Sequence, residues 1–180
     1  MYIFDQDYVT EHLSTSACIQ IMEEVLKEER TGSVTQYLRT AIPMPNTNIL
    51  GIMPGYSEKG YFGAKVLSVY HTNGETGYPS HQGEIILFGK EHGEVLSITD
   101  AMSVTKIRTG AVSAAASRAL ARKNAKTLAI LGCGAQGHSH LNAIAEVFGL
   151  TQVYAWDAYP QAAEALAQAA EEKRIPGKVC

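Results

Sequence analysis

The sequence predicts an α/β protein of two domains, with an α+β domain over residues 1–122 and a domain of βαβ units over residues 123–180. Short β-rich runs punctuated by glycine, proline and asparagine fill most of the first part, without a helical pattern between them. After Lys126 apolar strand-like and helix-like segments alternate. Such alternation is typical of a parallel sheet covered by helices.

The first domain is predicted to contain one amphipathic helix and a mostly antiparallel sheet. Apolar residues recur at helical spacing between an N-cap at residue 14 or 15 and a stop at Gly32; they are Cys18, Met22, Val25 and Leu26. Five β-rich runs follow, at residues 33–42, 47–56, 61–70, 83–89 and 94–99. Asp100 can then cap a long alanine-rich helix over residues 101–124, which leads out of the first domain.

The second domain is predicted as strand, helix, strand and helix. The segments are residues 127–132, about 135–148, 151–157 and 160–173, and the final GKVC can open a third strand. A complete doubly wound sheet has roughly six strands. We therefore expect the chain to be a fragment of a longer protein, and a polypeptide of these 180 residues to be a dimer or aggregate without turnover.

Composition excludes several classes of partner. Fifteen basic and eighteen acidic residues give a net charge of -3 without a long run of either sign, which argues against nucleic acid and anionic membranes. The three cysteines lack metal-ligand spacing, and His138 and His140, at i and i+2, do not share a helix face. We expect a cytoplasmic protein without a metal site.

A glycine turn opens the second domain. Gly132, Gly134 and Gly137 fit the pattern G-x-G-x-x-G, directly after the apolar run TLAIL and before a predicted helix. The three glycines allow a tight turn, close approach of a pyrophosphate to the backbone, and close packing of helix on strand. Asp157 follows 20 residues after Gly137, at the end of the next strand. This context predicts a Rossmann dinucleotide-binding domain.

The same turn indicates which dinucleotide binds. Ala135 and Gln136 are expected to offer backbone N–H groups to the pyrophosphate at the positive end of the helix dipole. Asp157 is expected to accept hydrogen bonds from the adenosine ribose hydroxyls and to repel the extra phosphate of NADP. Because no arginine follows within WDAYPQ, NAD is favoured as the cofactor.

Three cations of the first part are candidates for a carboxylate-binding clamp. Arg39 lies in a β-rich run, Lys65 lies in the middle of an apolar strand, and Arg108 lies on the long helix. Arginine binds a carboxylate through two parallel hydrogen bonds, and lysine binds it as a point charge. A strand lysine is equally well explained by edge protection or by a side chain that faces solvent.

Several motifs together resemble one family. The resemblance lies in four stretches, AKVLSVY, GYPSHQGEIILF, GEVLSITDAMSVTKIRTGAVSAAASRALAR and LAILGCGAQG. Through them the sequence resembles the ornithine cyclodeaminase and mu-crystallin family over nearly the whole chain. The R-T-x-A-x-S-A helix before the glycine turn is the most specific part of the resemblance. The resemblance implies an N-terminal substrate-binding domain, whose sheets join across a homodimer, followed by a Rossmann NAD-binding domain.

The resemblance also implies roles for individual residues. Lys65 and Arg108 match substrate-binding residues of the family, and Arg39 is a less secure match for a further carboxylate-binding arginine. The implied cofactor contacts are Ser80, Thr109, Gly132, Gly134, Ala135, Gln136, Gly137 and Asp157. The family's catalytic aspartate lies beyond Cys180.

Three activities fit this site. In ornithine cyclodeamination, L-ornithine gives L-proline and ammonia through an imine; in an alanine dehydrogenase or a ketimine reductase, water addition or simple reduction replaces the ring closure. In each case the cations are expected to hold the carboxylate so that the α-carbon faces the nicotinamide. A ligand-binding protein without turnover, as mu-crystallin permits, is the alternative from another class.

Overall fold

The first half of the chain forms one seven-stranded sheet. Its strands are β1 (Tyr2–Phe4), β2 (Val34–Gln36), β3 (Thr40–Pro43), β4 (Ile49–Ser57), β5 (Tyr61–Val69), β6 (His81–Gly89) and β7 (Val95–Asp100). The order is β1-β7-β6-β5-β4-β2, and β3 also pairs with β4. All pairs among β2 to β7 are antiparallel, which confirms the predicted sheet type, whereas the unpredicted β1 runs parallel to β7.

Three helices accompany these strands, namely α1 (Gln6–His12), α2 (Thr15–Thr31) and α3 (Ala101–Leu120), and short 3-10 turns cover Pro45–Thr47 and His71–Glu75. Ser14 caps α2, since its Oγ accepts a hydrogen bond from the backbone N–H of Ala17 at 3.2 Å. Asp100 caps α3 as predicted, because its Oδ1 accepts from the N–H of Ser103 at 2.7 Å. Each cap satisfies a donor that a helix start leaves without an intrahelical partner.

The second half of the chain consists of alternating strands and helices. The elements are β8 (Thr127–Leu131), α4 (Ala135–Val147), β9 (Gln152–Trp156), α5 (Pro160–Glu172) and β10 (Gly177–Val179). The strands pair in parallel in the order β10-β9-β8. Leu141, Val153 and Leu166 are fully buried in the core of this part. The predicted βαβ pattern, including the third strand, is confirmed.

The structure, a computed structural model, describes residues 1–180 except the side chains of residues 74 and 75. Its contacts divide the chain into two units, unit 1 with residues 1–12 and 24–105 and unit 2 with residues 13–23 and 106–180. Part of α2 and most of α3 therefore belong to the unit of the parallel sheet. The domain limits predicted above, 1–122 and 123–180, remain a prediction.

Among the described residues, no helix is both long and apolar enough to cross a membrane.

Candidate functional site

The glycine turn of unit 2 has the geometry that its three glycines predict. Gly132 has a φ of +96°, which side chains with a Cβ rarely adopt. A Cβ on Gly137 would lie 2.5 Å from the carbonyl oxygen of Gly132, so helix α4 packs directly against the turn. A Cβ on Gly134 would meet no atom within 4 Å. The backbone at Gly134 is therefore open to a ligand.

Helix α4 begins directly at this open position. Gly134 is its N-cap and provides no side-chain hydrogen bond. The first N–H groups of an α-helix, here those of Ala135, Gln136 and Gly137, have no intrahelical acceptor, and the helix dipole makes this end positive. With 13 residues, α4 is long enough for its N-terminus to bind a diphosphate in the manner of dinucleotide-binding folds.

Asp157 stands beside the turn and is tied to it. Its Oδ2 accepts a hydrogen bond from the backbone N–H of Cys133 at 2.6 Å, and its Oδ1 accepts from the N–H of Tyr159 at 2.9 Å. The bond from Cys133, followed by the bond from Tyr159, lowers the pKa of Asp157. The group is thus an ionised carboxylate, and each oxygen has a further lone pair with which to accept a hydroxyl.

Cys133 has a structural role within the turn. Its side chain is 2% exposed, and its Sγ donates a weak hydrogen bond to the carbonyl oxygen of Trp156 at 3.3 Å. Burial, and then the negative charge of Asp157, raise the pKa of the thiol. A raised pKa keeps the thiol protonated, which is the unreactive form.

Arg108 and Thr109 lie on α3, within unit 2. Arg108 is exposed, and its positive charge partly offsets the burial that raises the pKa of the Cys18 thiol. Gly110, which directly follows Thr109, is buried and touches α4 at Ser139. Both predicted residues therefore lie on the part of α3 that packs against α4.

Lys65 lies in the middle of β5, opposite Met53 on β4 and Ile85 on β6. It is half-buried, and its Nζ donates a hydrogen bond to Oγ1 of Thr105 at 3.2 Å. A cavity of about 360 Å³ is lined by Lys65, by apolar side chains that include Met53 and Ile85, and by further polar side chains, one of them a glutamate. Thr105 was not predicted as part of a site; its position three residues before Arg108, on the same helix face, was the available signal.

Arg39 lies close to Lys65 in the register of the sheet. It is exposed and directly precedes Thr40, which pairs with Ile52; Ile52 in turn pairs with Val66. Arg39 and Lys65 thus each lie one residue before a member of the same cross-strand row. The two residues are separated by two strand spacings, or about 10 Å. This spacing is compatible with one ligand carboxylate between two long side chains.

Ser80 lies at the start of β6, at the other end of β5. Its neighbour His81 pairs with Val69, four residues along β5 from Lys65. The Oγ of Ser80 and Nδ1 of His81 are 3.0 Å apart. Ser80 is exposed and is not part of the group formed by Arg39 and Lys65.

The structure therefore brings the predicted residues together in two groups, one in each unit. Unit 2 holds the glycine turn, Asp157 and the pair Arg108 and Thr109, whereas unit 1 holds Arg39 and Lys65, with Ser80 further along the sheet. Within the part of the chain that the structure describes, no three histidine, cysteine or acidic side chains are grouped as metal ligands.

The parallel strands, the glycine turn and the carboxylate at the end of β9 define a Rossmann-type α/β fold built to hold a dinucleotide. The chain belongs to the ornithine cyclodeaminase/mu-crystallin family, whose model matches residues 2–180. It is 34% identical over 165 residues to the ketimine reductase mu-crystallin of Mus musculus, covering 88% of this chain and 53% of that protein. The chain thus spans about half the length of the curated relatives it matches.

Solved structures have the same fold over the whole chain. The Delta(1)-pyrroline-2-carboxylate reductase of Thermococcus litoralis, in complex with NADH and L-proline, matches with a TM-score of 0.93 and 28% identity, covering 100% of this chain and 57% of that one. An archaeal alanine dehydrogenase dimer with bound NAD matches with a TM-score of 0.96 and 28% identity, covering 100% and 56%. The α/β fold predicted from the sequence is confirmed.

Proposed function

We propose that the protein is an NAD-dependent oxidoreductase that acts at the α-carbon of a small amino or imino acid. The observation that carries the proposal is the Asp157 carboxylate, hydrogen-bonded to the glycine turn at the open start of α4. Relatives named as ketimine reductase, alanine dehydrogenase and pyrroline-2-carboxylate reductase support this reaction class. The family also contains an ornithine cyclodeaminase branch, so ring closure with loss of ammonia is the second reaction to test.

The cofactor is proposed to bind through unit 2. NAD accepts or returns the hydride. The N–H groups of Ala135 and Gln136 bind its diphosphate, and the carboxylate of Asp157 accepts hydrogen bonds from the adenosine ribose hydroxyls. The ionised state of Asp157 excludes the 2′-phosphate of NADP by charge repulsion. Thr109 and Ser80 are proposed as further cofactor contacts.

The substrate carboxylate is proposed to bind Lys65 and Arg108, with Arg39 as a third cation. Oxidation of an amino acid removes a hydride from the α-carbon and a proton from the amine, which forms the C=N bond of the imine; reduction is the reverse. The cations take no part in bond making. They hold the α-carbon at a fixed position, and such positioning supplies a large part of catalysis in hydride transfer.

The test uses the full-length protein. We expect NADH to be consumed with pyrroline-2-carboxylate or another cyclic imine, or to be formed with L-alanine, L-proline or L-lysine, as followed by absorbance of NADH. Formation of proline and ammonia from L-ornithine without net NADH identifies cyclodeamination. Binding of NAD without turnover of any of these compounds would contradict the proposal and identify a ligand-binding protein.

We also propose that the protein is a homodimer of the cytoplasm. Strand β1 forms one edge of the sheet, and its Tyr2 and Ile3, together with Met1 directly before it, are exposed by 70%, 72% and 72%. An exposed apolar edge strand favours pairing with a second copy. The free thiols of Cys18 and Cys133 support a reducing compartment. Sedimentation of wild-type protein and of Ile3→Lys tests the dimer, which the lysine is expected to weaken.

A further inference from the structure

Helices α3 and α4 approach each other so closely that only small side chains fit between them. Ala111 and Ala114 on α3 and Ala143 on α4 are 0% exposed and belong to one apolar cluster. A Cβ on Gly110 would lie 2.5 Å from both the carbonyl oxygen and the Oγ of Ser139. Because backbone atoms are among these neighbours, the helices would have to separate to admit a methyl group at residue 110.

Hydrogen bonds join the two helices at the same place. The hydroxyl of Ser139, which is 5% exposed, donates to the carbonyl oxygen of Lys106. Beside this bond, the Oγ of Ser113, about one turn after Gly110 on α3, lies 2.9 Å from Nε2 of His140, the residue that follows Ser139 on α4. The other ring nitrogen, Nδ1, lies 2.7 Å from the carbonyl oxygen of Gln136.

These distances assign the direction of each bond to His140. A carbonyl oxygen only accepts, so Nδ1 carries a proton and donates to Gln136. In the neutral ring Nε2 is then the acceptor, and the hydroxyl of Ser113 donates to it. Gln136 is in the first turn of α4, next to Ala135, so this chain of bonds connects α3 to the diphosphate-binding turn.

We propose that this contact positions the substrate-binding part of α3 relative to the dinucleotide. The contact, formed by Lys106, Gly110, Ser113, Ser139 and His140, is called the α3–α4 lock. Arg108 and Thr109 lie between Lys106 and Gly110, so the lock holds both of them at a fixed distance from the first turn of α4. Ser113, Ser139 and His140 are thus positioning residues for the reaction proposed above, on which this inference rests.

A sub-ångström shift in this arrangement is expected to affect hydride transfer, because a misplacement of about 1 Å in an active site can cost about a hundredfold in rate. Cofactor binding is expected to change much less than turnover, since the N–H groups of Ala135 and Gln136 and the Asp157 carboxylate do not belong to the lock, and Thr109 is the one proposed cofactor contact on the part of α3 that it holds. The lock therefore predicts a separation between two measurements, kcat/KM for the amino or imino acid and Kd for NAD.

The deciding variant is Ser113→Ala combined with Ser139→Ala in the full-length protein, because both changes only remove atoms. We expect kcat/KM to fall about tenfold or more, with Kd for NAD within about twofold of wild type. Ser113→Thr keeps the hydroxyl and is expected to lose less of kcat/KM than Ser113→Ala, although it adds one methyl group to the contact. Ser117→Ala, a serine of α3 outside the lock, is the matched control and is expected to change neither quantity.

Gly110→Ala tests the steric part of the lock. It is expected to lower kcat/KM at least as much as the double variant, because the added methyl group forces α3 away from Ser139. Gly149→Ala, at a glycine whose Cβ would meet no atom within 4 Å, is the control. If Gly110→Ala does not fold, the double variant alone tests the inference.

Two results overturn the inference: unchanged kcat/KM in the double variant, or a loss of NAD affinity equal to the loss of kcat/KM. Failure of the proposed function is distinguishable from failure of this inference, since the wild-type protein would then bind NAD and turn over no amino or imino acid. In that case the lock is tested by hydrogen exchange of the backbone amides of residues 106–114, compared between the NAD-bound wild type and the NAD-bound double variant. Faster exchange in the double variant supports the lock, and unchanged exchange refutes it.

Discussion

Replacing Asp157 with alanine tests the cofactor site most directly. Each carboxylate oxygen already accepts one backbone N–H, from Cys133 or from Tyr159, and a carboxylate has about four acceptor sites in all. One lone pair on each oxygen therefore remains for the two ribose hydroxyls. Because a hydrogen bond to a charged acceptor at such a position contributes roughly tenfold in affinity, losing both is expected to raise Kd for NAD about ten- to a hundredfold.

The same variant should narrow the preference between the two dinucleotides. Alanine removes the charge that repels the 2′-phosphate, so Kd for NADP is expected to stay constant or to fall while Kd for NAD rises. Asp157→Asn separates the two effects, because the amide keeps one acceptor oxygen but not the charge. Glu164→Ala removes an exposed carboxylate from α5 and is the charge control.

Isothermal titration of full-length protein with NAD and NADP measures these constants. Tighter binding of NADP than of NAD by the wild-type protein would refute the assignment of Asp157 to the ribose. An unchanged Kd for NAD in Asp157→Ala would do the same. A rise that Glu164→Ala reproduces would mean that net charge, not the ribose contact, is being measured.

Three further perturbations test other parts of the site. Lys65→Ala and Arg108→Ala in full-length protein are expected to abolish turnover and leave Kd for NAD nearly unchanged, as measured by steady-state kinetics and titration. Gly137→Ala is expected to lower stability by about 1–3 kcal/mol in thermal unfolding, because a Cβ there would lie 2.5 Å from the carbonyl oxygen of Gly132. Alkylation at pH 8, followed by mass spectrometry, should leave Cys133 unmodified, because burial raises the pKa of its thiol and lowers the reactive thiolate fraction.

The chain offers a control for each of these. Lys59 is an exposed lysine of unit 1, paired with Glu28, and Lys59→Ala should retain turnover. Gly149→Ala should retain wild-type stability, since no atom lies within 4 Å of the added carbon. Cys180 is exposed and should react under the conditions that spare the buried thiols. Wild-type turnover in Lys65→Ala would remove that lysine from the site, and equal labelling of buried and exposed thiols would contradict the burial argument.

Local patterns in the sequence were sufficient for most of the fold. The β-rich runs of the first half became strands because glycine, proline and asparagine interrupt them at turn positions, and Asp100 caps α3 as its position before an alanine-rich stretch predicts. Strand β1 was missed because it has three residues and pairs with β7, almost a hundred residues later. A short strand of this kind depends on its partner, not on its own periodicity.

The candidate site was predictable to a different extent in its two parts. The glycine turn and Asp157 follow a fixed spacing within one βαβ unit, so a local motif identified them. Lys65 stood out as a charge inside an apolar strand, but its hydrogen bond to Thr105 joins residues 40 positions apart and follows no local pattern. Contacts between residues so far apart along the chain depend on how strands and helices pack, and a single sequence does not encode such packing at any fixed spacing.

The bonds that hold the site together were the hardest to predict, because their partners are backbone groups. Asp157 binds the N–H of Cys133, Ser139 binds the carbonyl of Lys106, and His140 binds the carbonyl of Gln136. Every residue except proline carries both backbone groups, so the identity of the partner leaves no signal in the sequence. What the sequence does contain is the small size required for such close approach, and around this site Gly110 and Gly137 are two positions at which a Cβ would meet backbone atoms at 2.5 Å.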